Sequence, residues 1–128
     1  MLSASHLRAR KKNSHKADFW KRAPSFLQWV RGRPCRLADR GGCWGKIEAC
    51  HVDYAGSHES VDPADAKGMA SKVHDRFTIP MCTGHHKEQT DWSWPRFEAN
   101  YRIDALEDSK AYWAAWPGRR AWEESRGQ

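Results

Sequence analysis

The chain has 128 residues, enough for one small domain, and its 39% hydrophobic content and mean hydropathy of −0.93 indicate a modest core. No stretch approaches the roughly 18 apolar residues of a transmembrane helix, and no apolar run follows the basic N-terminus as in a secretory signal. We therefore expect a protein of the reducing cytoplasm. In that setting cysteines mixed with histidines favour metal binding over disulfides, and the chain has four, Cys35, Cys43, Cys50 and Cys82.

Positive charge is concentrated in the first forty residues. Residues 1–40 contain eleven Lys or Arg against two Asp or Glu, whereas residues 41–128 contain eleven against fourteen. A basic arm on a near-neutral body predicts a polyanionic partner, because each phosphate that it neutralises releases counterions. We predict that residues 1–17 are disordered, and the alternative to a binding role is a solvated tail. The expected phosphate contacts are Arg8, Arg10, Lys11, Lys12 and Lys16.

The first half of the chain predicts one short helix and one strand. Pro24 and Gly32 bracket a helix over about 24–31. A glycine-rich loop follows, and then KIEACHVDY (46–54) is a strand candidate with imperfect alternation. The polar segment 55–72 is a loop long enough to suspect a function.

The second half predicts another strand followed by helices. DRFTIPMC (75–82) is the second strand candidate, and TGHHKEQT begins a helix for which Thr83 is the expected N-cap. Beyond DWSWP, the segments RFEANYR and LEDSKAYWAAW predict two more helices. We interpret Trp113 and Trp116 as packing residues.

Two ligand pairs predict a structural zinc site. Structural zinc takes four Cys or His ligands in tetrahedral geometry, commonly from two turns that are distant in sequence. Cys82 and His85 have the C-x2-H spacing of such a turn, and Cys35 and Cys43 are wider apart but lie in a loop whose glycines allow it to fold back. A bound zinc would also stabilise a chain with a small core. The alternative is that these cysteines are ordinary buried thiols.

His86 is left over when this set is filled. On a helix it is turned about 100° from His85, so it faces a different neighbour. The expected neighbour is the strand segment EACHVD, in which His51 is followed by Asp53, two residues on and on the same face. A strand–strand–helix unit of this kind can hold a metal on the helix and a general base on the strand.

The segment IEACHVDYAG…GMASKVHDRFTIPMCTGHHKEQ resembles the HNH, or ββα-metal, nucleases. More closely, it is similar to the phage recombination-enhancement (Ref-like) and YbcO-like prophage nucleases. The resemblance covers roughly residues 33–100. The matching parts are the Cys35 and Cys43 pair, the strand Ala49 to His51, the turn Gly68 to Asp75, and the stretch from Ile79 to His86.

The resemblance implies roles for three residues. His51 matches the general base that deprotonates the attacking water, which suits an imidazole at neutral pH. Asp75 matches the residue that orients this base or contributes to the metal site. His86 matches the helix histidine that binds a catalytic Mg²⁺, Mn²⁺ or Zn²⁺, which stabilises charge on the scissile phosphate.

Two positions depart from the family pattern. Many HNH enzymes place Asp or His before the base, where this chain has Cys50, and a thiolate is a poor Mg²⁺ ligand. We interpret Cys50 as a buried strand residue, with a ligand role as the alternative. Thr90 lies four residues after His86, where a second helix histidine would complete the pair. Thr90, or Gln89, could still ligate weakly or through water.

Together these features predict a small α+β protein with a zinc-stabilised ββα-metal core, flanking helices and a basic disordered arm. We expect one domain over 18–128, a monomer, acting on duplex or single-stranded DNA in a bacterial host, alone or with a recombinase filament. Lys72 is a further phosphate contact or a solvated loop lysine. The alternatives to a phage or prophage endonuclease are a zinc-stabilised nucleic-acid-binding module without catalysis and a protein-interaction domain using the Trp-rich C-terminus.

Overall fold

The computed structural model describes residues 21–62 and 73–126. Within these ranges the fold is a small α+β arrangement of two antiparallel strands and four α-helices. The predictions for residues 1–17, for Gly68 and for Lys72 lie outside the described residues. The helices are α1 (Pro24–Arg31), α2 (Thr83–Tyr101), α3 (Ala105–Ala115) and α4 (Arg119–Arg126), and the strands are β1 (Ile47–His51) and β2 (Thr78–Cys82).

The two strands form a hairpin with a register that runs from Ile47 opposite Cys82 to His51 opposite Thr78. Because successive strand residues point to opposite faces, Glu48 lies on one face of β1 and His51 on the other. All five residues of β2 are buried, so helices cover this strand on both faces.

One face of the hairpin packs against α2 and the start of α3, and the other packs against α1 and the end of α3. The larger core includes Cys50, Ile79, Met81, Phe97 and Leu106. The smaller core surrounds the fully buried Phe26 of α1 and includes Trp113 and Trp116, which confirms the packing role predicted for both tryptophans. The hairpin is therefore the central layer of the fold.

Helix α1 has the predicted bounds, with Pro24 at its first turn and Gly32 as its C-cap. Strand β1 is shorter than predicted. It ends at His51, and Asp53 lies in a 3-10 helix (Asp53–Ser57), so the prediction that Asp53 shares a strand face with His51 was wrong.

Helix α2 has a different N-cap from the predicted one, and it contains the predicted break. Its N-cap is Cys82, whose sulfur accepts a hydrogen bond from the His85 backbone N–H, so the assignment of Thr83 as N-cap was wrong by one residue. The helix is divided within DWSWP, where we predicted a break. It is kinked at Ser93 (φ 66°, ψ 163°), two residues before Pro95, whose ring and missing N–H interrupt a helical ladder.

Helix α3 matches the predicted stretch to within one residue at each end, whereas α4 was not predicted. None of the helices in the described part of the chain combines the length and the hydropathy that crossing a bilayer requires.

Candidate functional site

The structure brings the four predicted zinc ligands to one point. The Sγ atoms of Cys35, Cys43 and Cys82 and the Nδ1 atom of His85 all lie within 4.8 Å of one another. In the described residues this is the only group of three or more Cys, His, Asp or Glu side chains with such spacing. Cys82 and His85 are supplied by the β2–α2 junction, and the other two by the loop between α1 and β1. These residues could bind a metal such as zinc.

The separations fit the size of zinc. A tetrahedral ion with Zn–S of about 2.3 Å and Zn–N of about 2.0 Å places the nitrogen roughly 3.5 Å from each sulfur. The His85 Nδ1 atom lies 3.1 Å from the sulfur of Cys82, 3.5 Å from that of Cys43 and 3.7 Å from that of Cys35. Three thiols and one imidazole are also the ligand types that zinc prefers in structural sites.

The loop that carries Cys43 folds back as predicted because of its glycines. Gly41, Gly42 and Gly45 have φ values of 77°, 78° and 80°, a region that favours glycine. At Gly45 a Cβ atom would also lie 2.4 Å from the Cβ of Thr83, so the loop can approach α2 only without a side chain there.

The thiols have opposite pKa shifts. Burial raises the pKa of Cys82, but hydrogen bonds from the backbone N–H groups of His85 and Trp44 lower it more, to about 7. Desolvation of the Cys43 sulfur, together with the thiols of Cys82 and Cys35, raises the pKa of Cys43 to about 12. The metal-free cluster therefore disfavours a thiolate at Cys43, and a bound divalent cation would favour it.

His86 points away from this cluster, as predicted. Its Nδ1 atom lies 2.7 Å from Oε1 of Glu48, and each of the two side chains is about one third exposed. Glu48 also accepts a hydrogen bond from the Thr83 hydroxyl at 2.8 Å. The hydrogen bonds from Thr83 and His86 lower the pKa of Glu48, which keeps the carboxylate ionised.

His51 and Asp75 form the second histidine–carboxylate pair. The Nε2 atom of His51 lies 2.9 Å from Oδ1 of Asp75, although the two residues are 24 positions apart. The other carboxylate oxygen accepts a hydrogen bond from the Ala23 N–H at 2.7 Å, and the Asp75 N–H donates to the Lys21 carbonyl. Asp75 therefore links the end of β1 to the chain that enters α1.

The His51–Asp75 pair is partly accessible to solvent. The side chain of His51 is 33% exposed and that of Asp75 is 16% exposed. Burial by itself raises the pKa of Asp75, but the hydrogen bonds from His51 and Ala23 outweigh it, so the pKa lies below its usual value. An ionised Asp75 that accepts from Nε2–H leaves Nδ1 of a neutral His51 as the basic nitrogen.

The two histidines lie on opposite faces of β1. His86 contacts Glu48 on the face that packs against α2, whereas His51 has the opposite strand parity and contacts Asp75. The structure thus brings His86 to the predicted strand, but its partner there is Glu48 and not His51.

The residues at the two departures from the family pattern have local roles. Cys50 is buried, as predicted, with its sulfur 3.9 Å from the Gln89 amide oxygen. Burial, and then the charges of Asp53 and Glu48, raise the pKa of the Cys50 thiol to about 12, so it stays protonated. The Thr90 hydroxyl donates to the backbone carbonyl of His86 at 3.1 Å.

A cavity of about 540 Å³ lies at the kink of α2. None of the predicted site residues lines it. Its walls are Asp53, Tyr54, Ser93, Trp94, Pro95 and Glu98.

Sequence reasoning did not select Glu48. A signal was present, because Glu48 precedes Cys50 by two residues and so shares its strand face, the face that α2 covers. The exposed Trp44 beside Cys43 was also not selected.

Comparison with known proteins found no matching family model, curated protein or solved structure.

Proposed function

We propose that this chain is a metal-dependent DNA endonuclease of the HNH type, which hydrolyses phosphodiester bonds. The observation that carries the proposal is the contact of 2.9 Å between His51 and Asp75. The residues proposed as general base and orienting group meet at the end of a strand, with one third of the imidazole exposed. Zinc binding at the Cys/His cluster requires neither residue.

In this proposal the His51 Nδ1 atom accepts the proton of the attacking water. The Asp75 carboxylate holds the ring proton on Nε2 and stabilises the imidazolium that forms, as an orienting carboxylate does in other histidine bases. The Ala23 N–H, bonded to the second oxygen, fixes the rotamer of this carboxylate.

Glu48 and His86 are the proposed ligands of the catalytic divalent cation. They offer an ionised carboxylate and an imidazole that already lie 2.7 Å apart. Mg²⁺ is commonly held by one or two carboxylates, with water and substrate phosphate completing its shell. When bound, such a cation would stabilise negative charge on the scissile phosphate and the leaving oxygen.

We further infer that Zn²⁺ binds Cys35, Cys43, Cys82 and His85 and stabilises the fold. The cluster joins the loop after α1 to the β2–α2 junction, segments that are otherwise connected by few backbone hydrogen bonds such as Gly84 N–H to Trp44 C=O at 3.1 Å. This ion has no role in the proposed hydrolysis.

A zinc-stabilised nucleic-acid-binding module without catalysis is the second candidate. One observation favours it, namely that His51 and His86 lie on opposite faces of β1 and contact different carboxylates. In that case the His51–Asp75 pair serves only to connect β1 with the entry to α1.

A plasmid-nicking assay with Mg²⁺, Mn²⁺ or no added metal separates the two candidates. We expect the wild type to cut, and His51→Ala to lose about 10²–10⁴-fold in rate, the usual contribution of a general base. Zinc content, circular dichroism and DNA affinity of the variant should be unchanged.

The matched control is His58→Ala. His58 lies seven residues after His51, is exposed, and forms a hydrogen bond with Ser60. Its replacement should leave the cleavage rate unchanged. A wild type that never cuts, or a His51→Ala variant that cuts normally, would make the binding module the better interpretation.

A further inference from the structure

Trp44 is an exposed aromatic residue beside a metal-binding cluster. It follows Cys43 directly, and the residue is 58% exposed. Among the described residues it is the only large hydrophobic residue that is exposed. The other described tryptophans are buried or half-buried. A single exposed apolar side chain is common on protein surfaces, so the case for a binding role rests on how this ring is held and on what surrounds it.

The exposed ring is held in place by its neighbours. The Trp44 carbonyl accepts a hydrogen bond from the Gly84 N–H at 3.1 Å, at the start of α2. The indole lies directly against Gly84, where a Cβ atom would come within 2.4 Å of the ring nitrogen. The backbone is fixed by the turn at Gly45 and by the neighbouring ligand Cys43. Ordering this ring for a ligand therefore costs little conformational entropy.

The surrounding segment carries positive charge. Between α1 and β1, residues 31–46 contain five Lys or Arg and one Asp. Arg36 is paired with Asp108 and Arg40 lies 3.6 Å from Asp39. The remaining basic residues are exposed, and they are Arg31, Arg33 and Lys46. The Arg33 guanidinium lies 5.0 Å from the ring centroid of Trp29, and Lys46 is two residues from Trp44. A loop that carries an exposed aromatic ring and exposed cations is complementary to a nucleic acid strand, which offers bases for stacking and phosphates for ion pairing.

We propose that the Trp44 ring is a stacking platform for an unpaired base of single-stranded nucleic acid. The inference rests on the proposed function for its choice of partner, and it assigns a substrate contact that lies at the cluster end of the hairpin, opposite to His51. Stacking on a fixed ring is tolerant of base identity, so the platform would recognise an unpaired strand rather than a sequence.

The test measures binding of the full-length, zinc-loaded protein to two labelled oligonucleotides of equal length, one of thymidine and one abasic. Trp44→Ala should lower affinity for the thymidine strand by about 5- to 150-fold and leave affinity for the abasic strand unchanged. Trp44→Phe should retain most of the affinity because it keeps a π-face. Zinc content and circular dichroism establish that each variant is folded.

Lys46→Ala is the matched control. A phosphate contact should weaken binding to both strands equally and reduce the salt dependence, because it does not involve the base. Three results would overturn the inference: equal loss for both strands in Trp44→Ala, no loss for either, or a wild-type dimer in sedimentation that Trp44→Ala converts to monomer. The last result would assign the ring to a contact between copies of the chain.

The binding and cleavage experiments can contradict the two proposals independently. If His51→Ala abolishes cleavage and Trp44→Ala binds like the wild type, the stacking inference is wrong and the endonuclease proposal stands. If no cleavage is found but Trp44→Ala loses base-dependent affinity, the endonuclease proposal is wrong and the stacking inference stands.

Discussion

The two ends of the β-hairpin are built in different ways. At the end where Ile47 pairs with Cys82, four side chains from two distant segments converge within 4.8 Å. At the end where His51 pairs with Thr78, two side chains meet in one hydrogen bond of 2.9 Å and one third of the imidazole is exposed. The first end has the ligands to close a metal shell without water, whereas the second leaves a basic nitrogen accessible.

This difference assigns stabilisation of the fold to one end of the hairpin and proton transfer to the other. A four-ligand site with complete protein coordination has no open position for a substrate, which is typical of structural zinc. A partly exposed imidazole with an oriented ring can exchange a proton with water. Changes at the cluster end should therefore affect folding first, and changes at the His51 end should affect reactivity with the fold retained.

The largest expected effect is the loss of fold when the metal is removed. We expect one Zn²⁺ per chain, and a strong chelator should unfold the protein cooperatively. Binding free energies of structural zinc are about 10–16 kcal/mol, which is as large as the whole stability of a typical domain. Elemental analysis and circular dichroism before and after chelation measure both.

Cys82→Ala and Cys50→Ala form a matched pair for this experiment. Both residues are buried cysteines of the hairpin, but only Cys82 belongs to the cluster. Cys82→Ala should lose both the zinc and the folded structure. Cys50→Ala should keep one zinc per chain. Folded wild type without zinc, or zinc loss in Cys50→Ala, would contradict the assignment of the ligands.

The next effect, at the other end of the hairpin, is on the rate and not the fold. Asp75→Asn replaces a carboxylate that accepts from both His51 and Ala23 with an amide that has a single oxygen. One of the two N–H donors loses its acceptor, which costs about 1–3 kcal/mol of stability. The cleavage rate should fall by no more than the roughly 10²–10⁴-fold loss expected for His51→Ala.

The pH profile of cleavage distinguishes positioning from simple destabilisation. Loss of the carboxylate should move the acidic limb of the profile to lower pH, because a general base is inactive when protonated and the imidazolium is no longer stabilised. Asp75→Glu should restore part of the rate. The exposed Asp53 provides the control, since Asp53→Asn should change neither rate nor profile. An Asp75→Asn variant with a wild-type profile would leave Asp75 a structural role only.

The sequence predicted the cluster end well because its signals are local. The C-x2-H turn fixes the separation of Cys82 and His85, and the glycines around Cys43 specify the turn back toward them. The same local logic predicted α1 from Pro24 and Gly32. Ligand spacing and turn residues act over a few positions, so they can be read without knowing the tertiary fold.

Other features depend on tertiary contacts and could not be read in this way. The contact of Asp75 with Ala23 requires the smaller core to place α1 against the hairpin. The direction that the second half of α2 takes after the kink at Ser93 depends on the burial of Trp94 and Phe97 in the larger core. The contact of His86 with Glu48 depends on which residue of β1 the helix crosses. The alternation of strand side chains between the two faces reduces the number of candidate residues but does not select one.

The smallest expected effect is the loss, in acid, of the stability that the carboxylates of the two histidine pairs contribute. Measuring it for Asp75 and for Glu48 compares the two pairs. Both Asp75 and Glu48 have pKa values below those of free side chains, 3.8 and 4.5, because of hydrogen bonds from His51 and from Thr83 and His86 respectively. A lowered pKa means that the folded state binds fewer protons than the unfolded state. The stabilisation is therefore complete above the unfolded pKa and is lost as the pH falls through the folded value.

Urea unfolding of the wild type, Asp75→Asn and Glu48→Gln from pH 7 to 3 measures this effect as the difference between wild type and variant at each pH. Zinc content is measured alongside, because protonation of the ligands releases the ion from all three proteins. The wild type should keep an advantage over each variant from pH 7 to about pH 5, and lose it progressively at lower pH as each carboxylate is protonated. Because the free-side-chain pKa of Glu48 is the higher one, its advantage should begin to fall at a higher pH than that of Asp75. An advantage that disappears between pH 7 and pH 5 would show that neither carboxylate is stabilised in its ionised form, and both histidine pairs would then be held by packing rather than by charge.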